Sequence, residues 1–326
     1  MIDKRMNISI FTSTNIYGMT LQQLKYIVEI NRYRSFAQAA ESLEITQPTL
    51  SAMLQKLESE LDVRIFDRTN KSVTPTAIGE LIISQAEQIC SETARLTELI
   101  DENKNKITGT LNMSIGPTIA PYILPGFIRD YRACHPQVAL KIEELNADSM
   151  FEGLSRGQID VGIALSEYQR AGILEIPLYT EPFWVYISDE CLRKLPAFKP
   201  ENLEHEKMWV MREAQCLRKS TFSFCRTRET GYHIYEAGSI ETLIRVVDAN
   251  GGFTIIPEMH LPFLSDKQRE NVRPLEGSNK SMRKISMYIK DDFVRQSILN
   301  SIISTIVSVV PKKMVEQNIL ANGVKL

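Results

Sequence analysis

The sequence predicts a multi-domain chain: a small trihelical domain, one long helix after it, and an α/β domain that makes up the rest. Three observations carry that reading. Apolar residues recur at helical spacing in three short runs between Thr20 and Leu61. A further apolar period, with charges interspersed, runs from Thr76 to about Lys104. From Thr110 onward, β-type runs alternate with helical ones, the signature of an α/β fold with a largely parallel sheet. At 326 residues and 43% hydrophobic, the chain is long enough for two or three such units.

Composition excludes several classes. The longest apolar run, Ile298 to Val310, is short and broken by Asn300, Ser301, Ser304 and Ser308, so no membrane span is expected. Asn7 to Gly18 lacks the continuous apolar stretch of a signal peptide, which argues for the cytoplasm. Residues 1–18 read as an N-terminal extension ahead of Met19, where clear patterning starts. Five cysteines at irregular spacing do not form a secreted disulfide framework, and no Cys/His cluster has zinc-ligand spacing. No metal or other cofactor is expected. The net charge of −2 does not point to nucleic acid, so only a local positive surface would.

In the first domain, Leu21, Leu24, Ile27, Val28 and Ile30 follow a helical period from Thr20. Phe36, Ala39, Ala40 and Leu43 form a shorter segment that Ser35 can cap. After Glu44 and Ile45, Thr46 stands as N-cap with Pro48 in the first turn, where its missing N–H costs nothing. The third helix turns Leu50, Met53, Leu54, Leu57 and Leu61 to the core. Two short helices joined by a tight turn match a helix-turn-helix. Gln47, Thr49, Ser51, Ala52 and Gln55 are then left near the exposed start of helix three, the part that enters the major groove in this motif. Gln offers a bidentate match to adenine, and Thr or Ala methyls suit thymine. Arg32, Arg34, Lys56, Arg64, Arg68 and Lys71 are candidate phosphate contacts. Val63 to Thr74 has the length of a two-stranded wing. The competing reading is a helical domain that binds another protein, and bulk charge, balanced between Met19 and Thr76, does not decide between them.

Motifs do. Ser35-Phe36-x-x-Ala39-Ala40, Thr46-Gln47-Pro48-Thr49-Leu50-Ser51, Lys56-Leu57-Glu58-x-Glu60-Leu61, Phe66-x-Arg68 and Thr74-x-Thr76-x-x-Gly79 resemble the LysR-type transcriptional regulators. The resemblance implies a winged helix-turn-helix DNA-binding domain (19–76), a linker and dimerisation helix with its hinge (77–108), and a two-lobed effector domain like periplasmic binding proteins (109–311). Its first lobe would comprise 109–180 and 284–311, its second 181–283, with 312–326 as a C-terminal tail. It further implies spaced DNA half-sites bound by a homodimer or homotetramer, with RNA polymerase as a possible partner, and no enzymatic role.

The long helix, about 45 Å of it, carries Ile78, Ile82, Ile89, Thr93, Leu96 and Ile100 at spacings of three, four or seven. A coiled-coil seam with a second chain is one partner for that stripe; its own domain is the other. In the α/β part, Gly116-Pro117-Thr118 lies where a strand meets a helix, the place where such folds bind ligands. Plain N-capping by Thr118 is the competing reading.

The remaining signal is a cysteine pair. Cys216 and Cys225 bracket Leu217 to Phe224, and Arg218 and Lys219 sit where their charge would favour a Cys216 thiolate. If that segment were one helix, the two residues would lie about 13 Å apart along it, too far for a disulfide, which needs Cα atoms within about 7 Å. Bonding them would require the helix to unwind. By composition alone, paired cysteines in a cytosolic chain read as small buried hydrophobes, as do Cys90, Cys134 and Cys191. However, Cys216-Leu217-Arg218 with Phe224-Cys225, Gly116-Pro117-Thr118-x-x-Pro121-Tyr122-x-Leu124-Pro125 and Ser239-x-Glu241-Thr242-Leu243 resemble the peroxide-sensing, OxyR-like branch of these regulators. That resemblance implies Cys216 as the peroxidatic residue, Cys225 as the resolving one, and Thr118 and Arg283 in the peroxide pocket. It also shows departures. Gln215 stands where the branch has a histidine, Ala147 replaces a pocket threonine, and His233 matches a downstream histidine only out of register. Two alternatives follow. One is a regulator of the same fold that binds a small anionic metabolite between its lobes. The other is a thiol peroxidase, which the absence of a Cys-x-x-Cys speaks against.

Overall fold

The computed structural model describes residues 19–67, 73–103, 107–166, 170–188, 198, 208–211, 233–235, 239–275 and 282–315. The chain separates into two compact units, divided within the long helix.

In the first unit each helix starts where a side chain satisfies a free backbone N–H. Thr20 opens α1 (Leu21–Tyr33) with a capping box, its Oγ1 accepting from Gln23 N at 3.2 Å while Gln23 Oε1 accepts from Thr20 N at 2.8 Å. Ser35 caps α2 (Phe36–Ser42), and Thr46 caps α3 (Gln47–Leu61) with Pro48 in its first turn. Left-handed Arg34 and Asp62 end α1 and α3. Leu24, Ile27, Ile30, Ala39, Ala40, Leu50, Leu54 and Leu57 form the core. Leu21, expected inside, is exposed, and Gln23 is buried instead because its side chain completes the cap. The wing pairs β1 (Phe66–Asp67) with β2 (Thr74–Pro75) in antiparallel register. Glu58 pins its start, accepting from Ile65 N at 2.8 Å and Phe66 N at 3.1 Å.

Thr76 then opens α4 (Ala77–Asn103), accepting from Gly79 N at 3.0 Å and donating to Arg64 O at 2.6 Å. Its own domain covers only part of its apolar stripe. Ile83 and Ala86 are buried against the trihelical core, whereas Ile78, Leu81, Ile89, Leu96, Leu99 and Ile100 are exposed in the single chain.

The second unit runs β3 (Gly109–Ile115), α5 (Ala120–Cys134), β4 (Val138–Glu144), α6 (Ala147–Ser155), β5 (Val161–Leu165), β6 (Ile173–Ile187), β7 (Trp209–Met211), β8 (His233–Tyr235), α7 (Ile240–Asn250) and β9 (Phe253–Pro257). A 3₁₀ turn (Glu258–Phe263), α8 (Asp266–Arg269), β10 (Val272–Pro274), β11 (Met282–Lys290), α9 (Gln296–Val309) and a last 3₁₀ turn (Lys312–Met314) follow. The main sheet is ordered β10-β6-β11-β5-β3-β4, with β9 also on β6, and β7 pairs β8 separately.

This sheet is mixed, which corrects the largely parallel one expected. Only β3, β4 and β5 are mutually parallel, and β11 runs antiparallel to both β5 and β6. Parallel neighbours need a long crossover. Helices α5 and α6 supply one between β3, β4 and β5, but the seven residues 166–172 between β5 and β6 are too few to do so.

The 15-residue β6 and the nine-residue β11 belong to two packing layers at once. On one side Leu111, Met113, Ile115, Ile123 and Phe127 pack with Ile298, Leu299 and Ile302 of α9. Past Glu181, β6 enters a second lobe, where Tyr186 packs with Leu243, Ile244 and Val247 of α7 and with Ile256 of β9. Met314 and Val315 return to the first core, Val315 bridging Tyr179. Among the cysteines, Cys134 is exposed at the end of α5 and Cys90 is half-buried, so Cys134 is not the buried hydrophobe expected; Cys191 lies outside the described residues.

Candidate functional site

Two places in the fold hold described residues singled out from the sequence. The first is the start of α3. Thr46, Gln47, Pro48, Thr49, Gln55 and Lys56 are exposed there and Ser51 is half-buried, while Leu50 and Leu54 hold the opposite face of the helix in the core. Thr46 is a cap as well as a candidate contact, its hydroxyl 2.8 Å from that of Thr49. Lys56 is 3.7 Å from Glu60 one turn on, both at the surface, a weak pair that leaves the cation available to a phosphate. Arg34 is exposed at the end of α1. Arg68 lies outside the described residues.

The second lies where β6 and β11 pass between the lobes. The chain leaves β3 through Gly116-Pro117-Thr118 and enters α5. Thr118 does not cap that helix: Ile119 is its N-cap and makes no side-chain bond. Instead, Arg283 on β11 donates through Nη1 to Thr118 Oγ1 at 3.4 Å and through Nη2 to Thr118 O at 3.2 Å. The capping reading is therefore corrected, because the hydroxyl is taken by a guanidinium 165 residues away.

Arg283 is itself held by Glu181 on β6. Its Nε and Nη2 lie 2.6 and 2.5 Å from Glu181 Oε1. Glu181 Oε2 accepts from the Met259 amide at 3.2 Å. The pair is 0% and 3% exposed, and the guanidinium sits 5.9 Å from the Phe183 ring centroid. A buried charge is tolerated only when paired and hydrogen-bonded in this way.

Three side chains complete the cluster; of these the sequence pointed only to Tyr122, as part of a motif and without a role. Tyr122, one turn into α5, shares a 3.0 Å hydrogen bond with His260 Nδ1 on the 3₁₀ turn. The two rings meet edge-on, and Phe263 packs on both. Tyr179 is buried on β6, its hydroxyl without a hydrogen bond among the described residues. Burial, then the neighbouring Glu181 carboxylate, pushes the Tyr179 phenol far up, and burial does the same to Tyr122, so both stay protonated. Burial pushes His260 down to about 4, against the opposing pull of Glu241. The ring is neutral near pH 7, so Nδ1 in the Nε2-protonated tautomer accepts a hydrogen bond from the Tyr122 hydroxyl. Signals were sparse: Glu181 is one of two carboxylates, with Glu175, in a mostly apolar strand, and His260 has none.

The His260 shift has a consequence for stability. Its folded-state pKa lies below the unfolded value of 6.5, so between about 6.5 and about 4 the unfolded chain takes up a proton that the folded one does not. Stability should fall as pH drops through that window, by at most about 1.4 kcal/mol per pH unit from this group. Urea titrations at pH 7 and pH 5 would show it, and His260→Asn should flatten the difference; an equal pH dependence in that variant would disprove the assignment.

Of the predicted pocket residues, Thr118 and Arg283 are the two seen in this cluster among the described residues. His233 opens β8, paired with Trp209 of β7. Gln215, Cys216 and Cys225 lie outside the described residues. Among the described residues no group of acidic, His or Cys side chains is arranged to hold a metal, and no helix is long and apolar enough to cross a membrane.

Comparison with known proteins bears on both surfaces. Residues 21–80 match the bacterial regulatory helix-turn-helix protein, lysR family, and residues 104–310 match the LysR substrate binding domain. A hydrogen peroxide-inducible genes activator of Haemophilus influenzae is 30% identical over 259 residues, 78% of this chain and 85% of the relative. The DNA-binding transcriptional dual regulator OxyR of Escherichia coli is 29% identical, across 78% and 83% of the two chains. Among solved structures, a full-length OxyR variant from Pseudomonas aeruginosa has 28% identity and a TM-score of 0.76, covering 92% of this chain and 98% of its own. A Corynebacterium glutamicum OxyR variant with bound hydrogen peroxide, 25% identical, gives a TM-score of 0.57 over 89% and 92% of the chains. With both parts of the chain matched in this way, the protein belongs to the LysR family of DNA-binding bacterial transcriptional regulators, in the company of its hydrogen peroxide-inducible activators.

Proposed function

We propose that this regulator senses hydrogen peroxide through Cys216 and Cys225. The observation that carries the reading is the Thr118–Arg283 contact in the crevice between the lobes. Arg283 arrives there already paired with the buried carboxylate of Glu181. The pair is neutral overall, and with Thr118 it offers directed N–H and O–H groups without a net positive charge. Such a pocket suits a small uncharged hydrogen-bonding molecule better than an anionic metabolite.

The Cys216 thiolate attacks one peroxide oxygen, the O–O bond breaks, and hydroxide leaves. Cys216 is then a sulfenic acid, and the Cys225 thiol displaces its oxygen as water to form a disulfide. Gln215 can hydrogen-bond peroxide but cannot hand a proton to the leaving hydroxide, so oxidation should be slower than with a histidine in that place. Purified protein treated with peroxide and mapped by non-reducing mass spectrometry should contain a Cys216–Cys225 linkage; its absence would sink the switch. A metabolite that shifts DNA affinity in Cys216→Ser protein would favour the alternative reading.

The output is DNA. Residues 19–76 form the DNA-binding domain, 77–108 the linker and dimerisation helix, and 109–311 the sensor, with 1–18 and 312–326 as terminal segments. The lobes are 109–180 with 284–311, and 181–283. Leu96, Leu99 and Ile100, exposed on α4, suit a seam with the same helix of a second copy, giving a homodimer or homotetramer on spaced half-sites in the cytoplasm, with RNA polymerase as a further partner. Arg34, Lys56 and Arg68 hold phosphates, while Gln47, Thr49, Ser51 and Gln55 face bases, positioned by Thr46 and Pro48. Gln47→Ala should lose about 1–3 kcal/mol at one base pair only. Lys56→Ala should weaken all sequences alike and lower the salt slope by about one. Fluorescence-anisotropy titrations over operator variants and salt would separate the two, and a uniform loss in Gln47→Ala would refute its base-reading role.

A further inference from the structure

Thr118 and Arg283 are part of a closed ring of contacts. From Thr118 the path runs to Arg283, to Glu181 Oε1, and from Oε2 of the same carboxylate to the Met259 amide. It continues along the backbone to His260, crosses from Nδ1 to the Tyr122 hydroxyl, and returns through the first turn of α5 to Thr118. That last step is firm, since Tyr122 N bonds to Ile119 O at 3.1 Å and Ala120 N to Gly116 O at 3.0 Å. Four elements are joined: α5, the two crossover strands and the 3₁₀ turn. Glu181, Arg283, His260 and Tyr122 are all buried. The turn is tethered again at Glu258, which accepts from Trp184 Nε1 at 3.4 Å and pairs with Lys313.

Such a ring constrains direction as well as contact. A guanidinium on a flexible stem points where its carboxylate partner fixes it, and this carboxylate is fixed by a backbone amide of the turn. The turn in turn is held against α5 by the Tyr122–His260 bond. In a medium of low dielectric, each link is costly to leave unmade, so opening one loads the others.

We propose that Tyr122 and His260 are positioning residues of the Thr118–Arg283 pocket, holding the 3₁₀ turn so that Glu181 aims Arg283 at Thr118. Neither touches peroxide. The role in oxidation rests on the pocket reading above; the ring itself does not.

The test uses the reduced full-length protein with Tyr122→Phe, His260→Ala, His260→Asn and the Tyr122→Phe, His260→Ala double variant. Tyr122→Phe keeps the aromatic packing and removes only the hydroxyl, so it should fold. His260→Asn offers an acceptor near the place of Nδ1. Two quantities are read: amide exchange of peptides covering Gly116 to Tyr122 and Glu258 to Phe263, and the rate of Cys216 oxidation by hydrogen peroxide with the sulfenic acid trapped. Losing one hydrogen bond should speed exchange in both segments by about 5- to 10-fold. The double variant should add little to either single one. Cys216 oxidation should slow by a similar factor, and His260→Asn should recover most of both. Faster exchange confined to the 3₁₀ turn, or wild-type oxidation rates with both segments loosened, would overturn the positioning role. If the wild-type Cys216 does not react with peroxide, the pocket reading fails, and the shared or unshared rise in exchange still decides the ring.

Discussion

Glu181→Ala is expected to cost the sensor domain roughly 3–5 kcal/mol, because it leaves the Arg283 guanidinium, 3% exposed, without its counter-charge. The Met259 amide loses its acceptor at the same time. Most of the effect is the desolvated, unpaired cation rather than the worth of the pair itself. The double variant Glu181→Leu with Arg283→Met should therefore be more stable than Glu181→Ala, since removing both charges abolishes the penalty. Urea denaturation followed by fluorescence would measure both. A double variant no more stable than Glu181→Ala would show that packing, and not charge, sets the cost. The same double variant should lose the peroxide response, since no guanidinium remains to meet Thr118.

Gly79→Ala is expected to destabilise the DNA-binding domain by about 2–3 kcal/mol, against the helix preference of alanine, which favours the change by about 1 kcal/mol. A Cβ at Gly79 would lie 2.0 Å from the Ile65 carbonyl oxygen, a backbone atom that cannot swing away as a side chain can. That oxygen also accepts from Thr76 N at 3.0 Å. Relief of the clash would thus pull apart the junction of wing and α4 and weaken binding to every DNA sequence. Thermal unfolding and operator titrations check the two halves of this expectation, and an unchanged or raised melting temperature would refute it.

How much of this could be read in advance differs between the two surfaces. The trihelical domain was legible almost residue by residue because its determinants are local. Ser35 and Thr46 each bond an amide three residues on, and the apolar period of α3 turns Leu50, Leu54 and Leu57 inward while exposing Gln47, Thr49 and Gln55. Leu21 misled because a cap, not hydrophobicity, selected Gln23 for burial. In the sensor, the strands and helices through β5 were visible in their periods, but strand direction was not. Periodicity says which residues share a face and nothing about which strand lies beside which.

Local chemistry, read along the chain, thus settled the capped helices and the long helix and raised Thr118 as a candidate, while Arg283 was named by family likeness alone. Only tertiary structure decided that Arg283 meets Glu181 102 residues away and that Tyr122 meets His260 138 residues away. Those contacts depend on β6 and β11 running antiparallel between two lobes, where burial raises the cost of an unpaired group and so makes the partner's identity matter.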